Sequence, residues 1–232
     1  MVEAGQCPAF SFGGGMKDHP VAERLLAVAL AGLAGFVDAV AFIELGGYFV
    51  SFMTGNSVQI GTGLADYAAA AILPLSLVAL FVAGVVASSL AVHKAGRWRA
   101  PLTLLLVTAL LSTAAYAAGQ GWSAVAIACM ALAMGSENAV FQRNGEVSIG
   151  VTYMTGALVK MGQGMASAIR GNGHSGWFWH LCLWGGLTFG AVAGAFAFRA
   201  YAMQALWLAS AVGLVLALAA LVLVRPAQAS DL

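Results

Sequence analysis

Charge is what this sequence has least of. Only 8% of its 232 residues are ionisable as Asp, Glu, Lys or Arg, nine acidic and ten basic, where a soluble domain carries roughly 25%. Nineteen such groups cannot solvate a globule of this size, which excludes a soluble enzyme, a nucleic-acid binder and a disordered chain. With 61% apolar residues and a mean hydropathy of +0.90, lipid must be the solvent for most of it. The lipid bilayer is therefore the first expected partner, and nucleic acid is not one.

Cysteine is nearly absent as well. Cys7, Cys129 and Cys182 lie far apart, with no Cys-x-x-Cys, so neither a disulfide framework nor a metal site is expected. Cys129 and Cys182 fall inside apolar stretches and read as small hydrophobes. Catalytic patterns are missing too: no Gly-x-Ser-x-Gly elbow, no His-Glu-x-x-His, no phosphate-binding loop and no dinucleotide fingerprint. His19, His93, His174 and His180 do not sit near a membrane-buried nucleophile by spacing. No enzymatic activity and no cofactor are expected.

What the sequence does contain is long apolar runs. Residues 1–20 are a polar tail with Gly13-Gly14-Gly15, expected to be disordered and lacking the apolar region of a secretory signal. Apolar segments follow at about 21–43, 72–92, 101–118, 122–141, 178–199 and 202–224, each close to the roughly 20 residues a helix needs to cross a bilayer. A short polar tail, 225–232, closes the chain. Two further apolar segments, about 47–66 and 149–168, are interrupted by Thr54-Gly55-Asn56 and Thr155-Gly156 and by further glycines.

Those two segments repeat one another. Met53 to Ala65 and Met154 to Ala166 share Met-Thr-Gly-x-x-Val-x-x-Gly-x-Gly-x-Ala, seven identities in thirteen ungapped positions. The flanking helices agree. Gly35 and Gly135 both stand three residues before a polar residue, Asp38 or Asn138, and Ala-Val follows each time. Gly84 to Ser88 likewise answers Gly190 to Gly194, small-residue spacings that let helix backbones approach closely. The chain reads as a duplication, with repeats at 21–118 and 119–224.

Charge placement decides whether the two interrupted segments cross the membrane. If both cross, four Lys/Arg lie inside and five outside, which is no bias. If both are re-entrant, Lys17, Arg24, Lys94, Arg97, Arg99, Arg143, Arg170 and Arg225 are cytoplasmic, Arg199 alone is outside, and Lys160 lies within the membrane. The second arrangement is expected: an all-α polytopic protein with six transmembrane helices and two re-entrant half-helices. Three crossings per repeat invert one repeat relative to the other, as in many transporters. Both termini are then cytoplasmic.

A helix that starts inside the bilayer leaves free backbone N–H groups there. Thr54 and Thr155 are expected to cap such starts with their hydroxyls, and Gly55 and Gly156 to let the chain turn. The two positive helix ends would face each other near the midplane, where Thr54, Asn56 and Thr155 hydrogen-bond a solute. Buried Asp38 and Lys160 form a candidate pair for gating or proton coupling. The plainer alternative is that both segments are ordinary spans whose Thr-Gly pairs only pack. Trp177, Trp179, His180 and Trp184 read as an interfacial aromatic belt, and His93-Lys94 with Arg97-Trp98-Arg99 as a cytoplasmic anchor.

The stretch Gly35-Phe-Val-Asp38-Ala, with Gly47-Tyr-Phe-Val-Ser-Phe-Met-Thr54-Gly55-Asn56, resembles the YoaK-like family of bacterial inner-membrane proteins, a domain of unknown function. The second half matches through Gly135-Ser-Glu-Asn138-Ala and Val151-Thr152-Tyr-Met-Thr155-Gly156. The resemblance covers about 21–224 and implies a six-helix inner-membrane protein with no established substrate and no catalytic residues. Glu137 stands where the resemblance implies an uncharged amide. The expected function is a channel or secondary transporter for a small anionic or neutral solute. A non-transporting assembly or accessory protein is the alternative, an intramembrane enzyme a weaker one, and homo-oligomer formation stays open.

Overall fold

The computed structural model describes residues 19–143, 146–171 and 176–223. The tail expected before residue 19, the tail 225–232, Cys7 and His174 lie outside the described residues.

Eight α-helices follow one another among the described residues: α1 (Val21–Leu45), α2 (Met53–Asp66), α3 (Ile72–Ala91), α4 (Arg99–Gly119), α5 (Ser123–Glu137), α6 (Met154–Ile169), α7 (Trp177–Tyr201) and α8 (Leu206–Leu223). Short 3-10 turns precede α3, α4 and α8. The only strand pairing among the described residues is two residues on each side, Gln142–Arg143 against Glu146–Val147. Four stretches are long and apolar enough to cross a membrane: 21–45, 68–91, 96–119 and the 46-residue stretch 177–222. The last holds two helices, α7 and α8, parted at Ala202, whose φ of 48° no α-helix contains. At 1.5 Å per residue, α2 and α6, with 14 and 16 residues, reach only about 21 and 24 Å, short of a ~30 Å hydrocarbon core.

Most segments expected to be helical are helical within one to three residues at each end. The exception is the segment expected at 122–141, which ends as a helix at Glu137. Asn138 stops it. Its side-chain amide donates to the carbonyl of Met134 at 3.0 Å, the acceptor its own main-chain N–H would take in a continuing helix. That N–H falls back on Gly135 instead, and Ala139 and Val140 follow in the same tightened winding.

Two helix pairs form the closest crossings, α1 with α7 and α3 with α5. A Cβ added to Gly35 would collide with the Leu187 carbonyl, and one added to Gly135 with the Phe81 carbonyl. Gly190 meets the carbonyl of Gly32 in the same way, and Gly84 that of Leu132. These are the positions the sequence repeat equates, so one crossing occurs twice. Contacts of Gly186 with Val28, Gly190 with Gly32 and Gly194 with Phe36 advance together on both helices, so α1 and α7 run parallel. The buried core gathers at this centre, with Leu30, Val37, Val40, Val107, Leu111, Met130 and Met134 all inaccessible. The periphery is apolar and open, down to Phe189 at 77% and Ile169 at 86% exposure. Lipid-facing residues give that surface no reason to be polar.

Candidate functional site

The site begins where α1 ends. Gly46, in the left-handed region at φ 68°, closes the helix, and Gly47 N–H reaches back to the Phe42 carbonyl at 2.9 Å, a turn that only glycine adopts without strain. The chain then runs back along α1. Asp38 accepts the N–H groups of Val50 and Ser51 at 2.8 and 2.7 Å and the Ser51 hydroxyl at 2.5 Å. Asp38 lies seven residues before the end of α1, so this loop returns about 10 Å along the helix.

Side chains of α2 hold the loop from its other edge. Asn56, fully buried, accepts the Phe49 N–H at 3.2 Å and donates to the Phe49 carbonyl at 2.6 Å. Gln59 donates to the Gly47 carbonyl at 2.8 Å. The second repeat builds the same corner with fewer bonds. Thr152 donates to the side-chain oxygen Oδ1 of Asn138 at 3.4 Å, the counterpart of Ser51 on Asp38. Ala157 and Lys160 stand where Asn56 and Gln59 do.

Between the two corners lies a cavity of about 460 Å³. Gly35, Asp38, Ala39 and Phe42 of α1 line it, with Phe49, Ser51 and Phe52 of the first loop. The second repeat supplies Thr152, Met154, Thr155 and Leu158, together with Trp184, Leu187 and Ala191 of α7. The wall is chiefly apolar and aromatic, with the hydroxyls of Ser51, Thr152 and Thr155 as its polar points.

Of the residues singled out in the sequence, Asp38 and Thr155 therefore line the cavity, while Thr54, Gly55, Asn56, Gly156 and Lys160 do not. Neither threonine caps a helix. Phe52 and Tyr153 hold the N-cap positions without a side-chain bond, and Thr54 and Thr155 sit two residues inside them. The free N–H groups expected at these starts are present: those of Thr54 and Gly55 in α2, and of Met154, Thr155 and Gly156 in α6, have no partner among the described residues. At α2 the Phe52 and Phe49 rings crowd over Gly55, stacked edge to face at 5.2 Å, so aromatic rings stand between that end and the cavity. Asn56 is spent on the loop. Asp38 and Lys160 form no ion pair: the carboxyl belongs to the loop, and Lys160 is exposed on α6.

Several lining residues carried a signal that was easy to misassign. At the same offset as the Met-Thr-Gly repeat, Val50-Ser51-Phe52 answers Val151-Thr152-Tyr153, so paired hydroxyls were marked by the duplication itself. Trp184 belongs to the cavity and not to the belt. Trp179, by contrast, lies under the Arg24 guanidinium at 5.1 Å, and Trp177 and Trp179 both stack on Phe178.

Comparison with known proteins gives the chain its family. The family model described as "Protein of unknown function (DUF1275)" matches residues 26–219. The chain belongs to this family. The match takes in both corners and every residue of the cavity wall. A relative within reach is the UPF0700 transmembrane protein RA0705 of Rhizobium meliloti (strain 1021), 33% identical over 195 residues that cover 84% of each chain. No solved structure matches. This protein is thus a multi-pass helical membrane protein of the DUF1275 family, in agreement with the resemblance its motifs carry.

Proposed function

We propose that this protein is a secondary transporter or channel, not an enzyme, that moves a small neutral solute through the cavity between the two loop corners. The observation that carries the reading is the cavity itself. It lies between the starts of two helices too short to cross the bilayer, and equivalent hydroxyl residues of the two repeats, Ser51 and Thr152, both line it. Its size falls within the ~300–1,000 Å³ usual for small-molecule sites.

Six crossings with two re-entrant half-helices and inverted repeats are part of the proposal. The fold-back of about 10 Å along α1 supports re-entry. The twice-used glycine crossing supports the duplication, and helix directions support inversion. Residues of α4 and α8 meet in opposite order, as in Gly119 with Gln204 and Thr108 with Gly213. Arg99 bonds the Gln142 carbonyl, so α5 also runs against α4. Because α8 turns back from α7, and α7 runs with α1, the first helices of the two repeats oppose each other. By the positive-inside bias both termini are cytoplasmic, in a bacterial inner membrane.

Asp38 is the one ionisable side chain on the wall, and its oxygens are taken up by the loop. Lys160, the reason to expect an anionic cargo, is off the wall. A neutral solute with an apolar body and one or two hydrogen-bonding groups fits best. Uptake by proteoliposomes from a panel of neutral, anionic and cationic solutes tests this. Neutral solutes should enter, and Thr155→Val with Ser51→Ala should slow them. A panel in which nothing enters, with the purified protein instead retaining a partner protein, favours an accessory role.

A further inference from the structure

Glu137, the last residue of α5, takes no part in the cavity. Its side chain is 0% exposed, yet neither carboxyl oxygen has a hydrogen-bond partner. Donors around it bond elsewhere, the Ser136 hydroxyl to the Gly84 carbonyl at 3.2 Å, the Asn138 amide to Met134, the Thr152 hydroxyl to Asn138 and one Arg99 guanidinium N–H to the Gln142 carbonyl, while the Arg99 Nε and the Thr103 hydroxyl of α4, buried and unpartnered themselves, make no bond to it.

No ion pair among the described residues replaces them. α1 contributes Asp38, whose oxygens accept from Val50 and Ser51. α3 carries no titratable side chain. α4 has Arg99 at one end, held on Gln142, and an exposed Tyr116 at the other. Cys129 is the only other titratable group of α5 itself. An ionised Glu137 would thus sit at the negative end of its own helix with no bonded donor and, among the described residues, no ion pair. Burying a lone charge so is prohibitive. The repeat makes the same point, since the position equivalent to Glu137 is Val37, also wholly buried.

We propose that Glu137 is a proton-binding site within the membrane, neutral in this conformation and able to release its proton when water reaches it. The O–H bond breaks heterolytically, the proton passes to that water, and nothing is oxidised or reduced. Taken with the transport reading, on which this consequence rests, the proton is the coupling ion.

Infrared spectroscopy of the full-length protein in lipid vesicles at neutral pH tests the site without any solute. A protonated-carboxyl C=O band should be present, disappear in Glu137→Gln, and persist in Asp38→Asn. A wild-type spectrum without the band, or a Glu137→Gln spectrum that keeps it in full, overturns the proposal. Should Glu137→Gln fail to fold, Glu137→Val, copied from the first repeat, serves in its place. Its thermal midpoint should equal or exceed the wild type's, and a lowered one would make the carboxyl a structural group and overturn the proposal. In proteoliposomes, an inward-directed proton gradient should speed uptake by the wild type severalfold, and Glu137→Gln should lose that acceleration while still exchanging solute. Uptake indifferent to the gradient removes the coupling and leaves the transporter. A band with no flux of any solute removes the transporter and leaves the proton site.

Discussion

The two loop corners occupy equivalent places in the duplicated chain and are held very differently. The first is anchored by three bonds to Asp38 and by the two-way clasp of Asn56 on Phe49, with Gln59 on Gly47. In the second the equivalent tether is a single 3.4 Å bond from Thr152 to the Asn138 side-chain oxygen, and the loop is held instead on itself, by the Gln142–Arg143 and Glu146–Val147 pairing and by the Ser148 N–H and hydroxyl on the Phe141 carbonyl at 2.8 and 2.7 Å. Asn138 turns its amide onto its own helix, and Ala157 and Lys160 supply no clasp. Duplication preserved the corner and changed its anchoring: the first is tied to the helix before it and the helix after it, the second mainly to itself.

The largest expected effect separates the corners directly. Asp38→Ala strands two buried N–H groups and a hydroxyl, at about 1–3 kcal/mol for each group left unsatisfied. Asn138→Ala removes its 3.0 Å bond to the Met134 carbonyl and the long bond from Thr152 and should cost less, about 1 kcal/mol. Thermal unfolding in detergent should show a deep loss for the first and a slight one for the second, and equal losses would erase the distinction. Asn56→Ala comes next. It opens both bonds to a buried main chain and should destabilise by roughly 2 kcal/mol, and faster amide hydrogen exchange should be confined to residues 47–52. Gln59→Leu, with one bond to a partly buried carbonyl, should cost about 1 kcal/mol. Smallest is Thr152→Val, near 0.6 kcal/mol, which should leave stability almost unchanged while altering solute flux. A Thr152→Val protein that unfolds early would mean that the second corner is as firmly held as the first.

Much of the fold could be read from the sequence because the bilayer imposes it. Apolar runs near 20 residues have one structure open to them in lipid, and the glycines at 35, 84, 135 and 190 mark backbone contact wherever they fall. The end of α5 was not legible, because Asn138 stops that helix through a side-chain bond that competes with continuation only in the particular rotamer the corner demands. Asn56 was misassigned for a related reason. A polar residue after Thr-Gly suits a solute or a loop equally, and its partner Phe49 is brought near by the chain reversal, which no local period encodes. Trp184 stands five residues beyond Trp179, about 140° around the helix, so closeness in sequence placed it in a belt whose face it does not share. Asp38 was recognised as buried and consequential. That its partners are main-chain groups of the next loop, and not Lys160, follows from Gly46 and Gly47 reversing the chain.

The central claim is that each corner enters and leaves the membrane on one side, and on opposite sides for the two repeats. Single cysteines at Glu44, Asp66, Arg143 and Arg170, placed in a protein whose Cys7, Cys129 and Cys182 are alanine, test it with a membrane-impermeant thiol reagent. Glu44→Cys and Asp66→Cys should both react in intact cells, and Arg143→Cys and Arg170→Cys only in inverted vesicles. Reaction of the Glu44 and Asp66 positions from opposite faces would contradict the account, since α2 would then cross the bilayer.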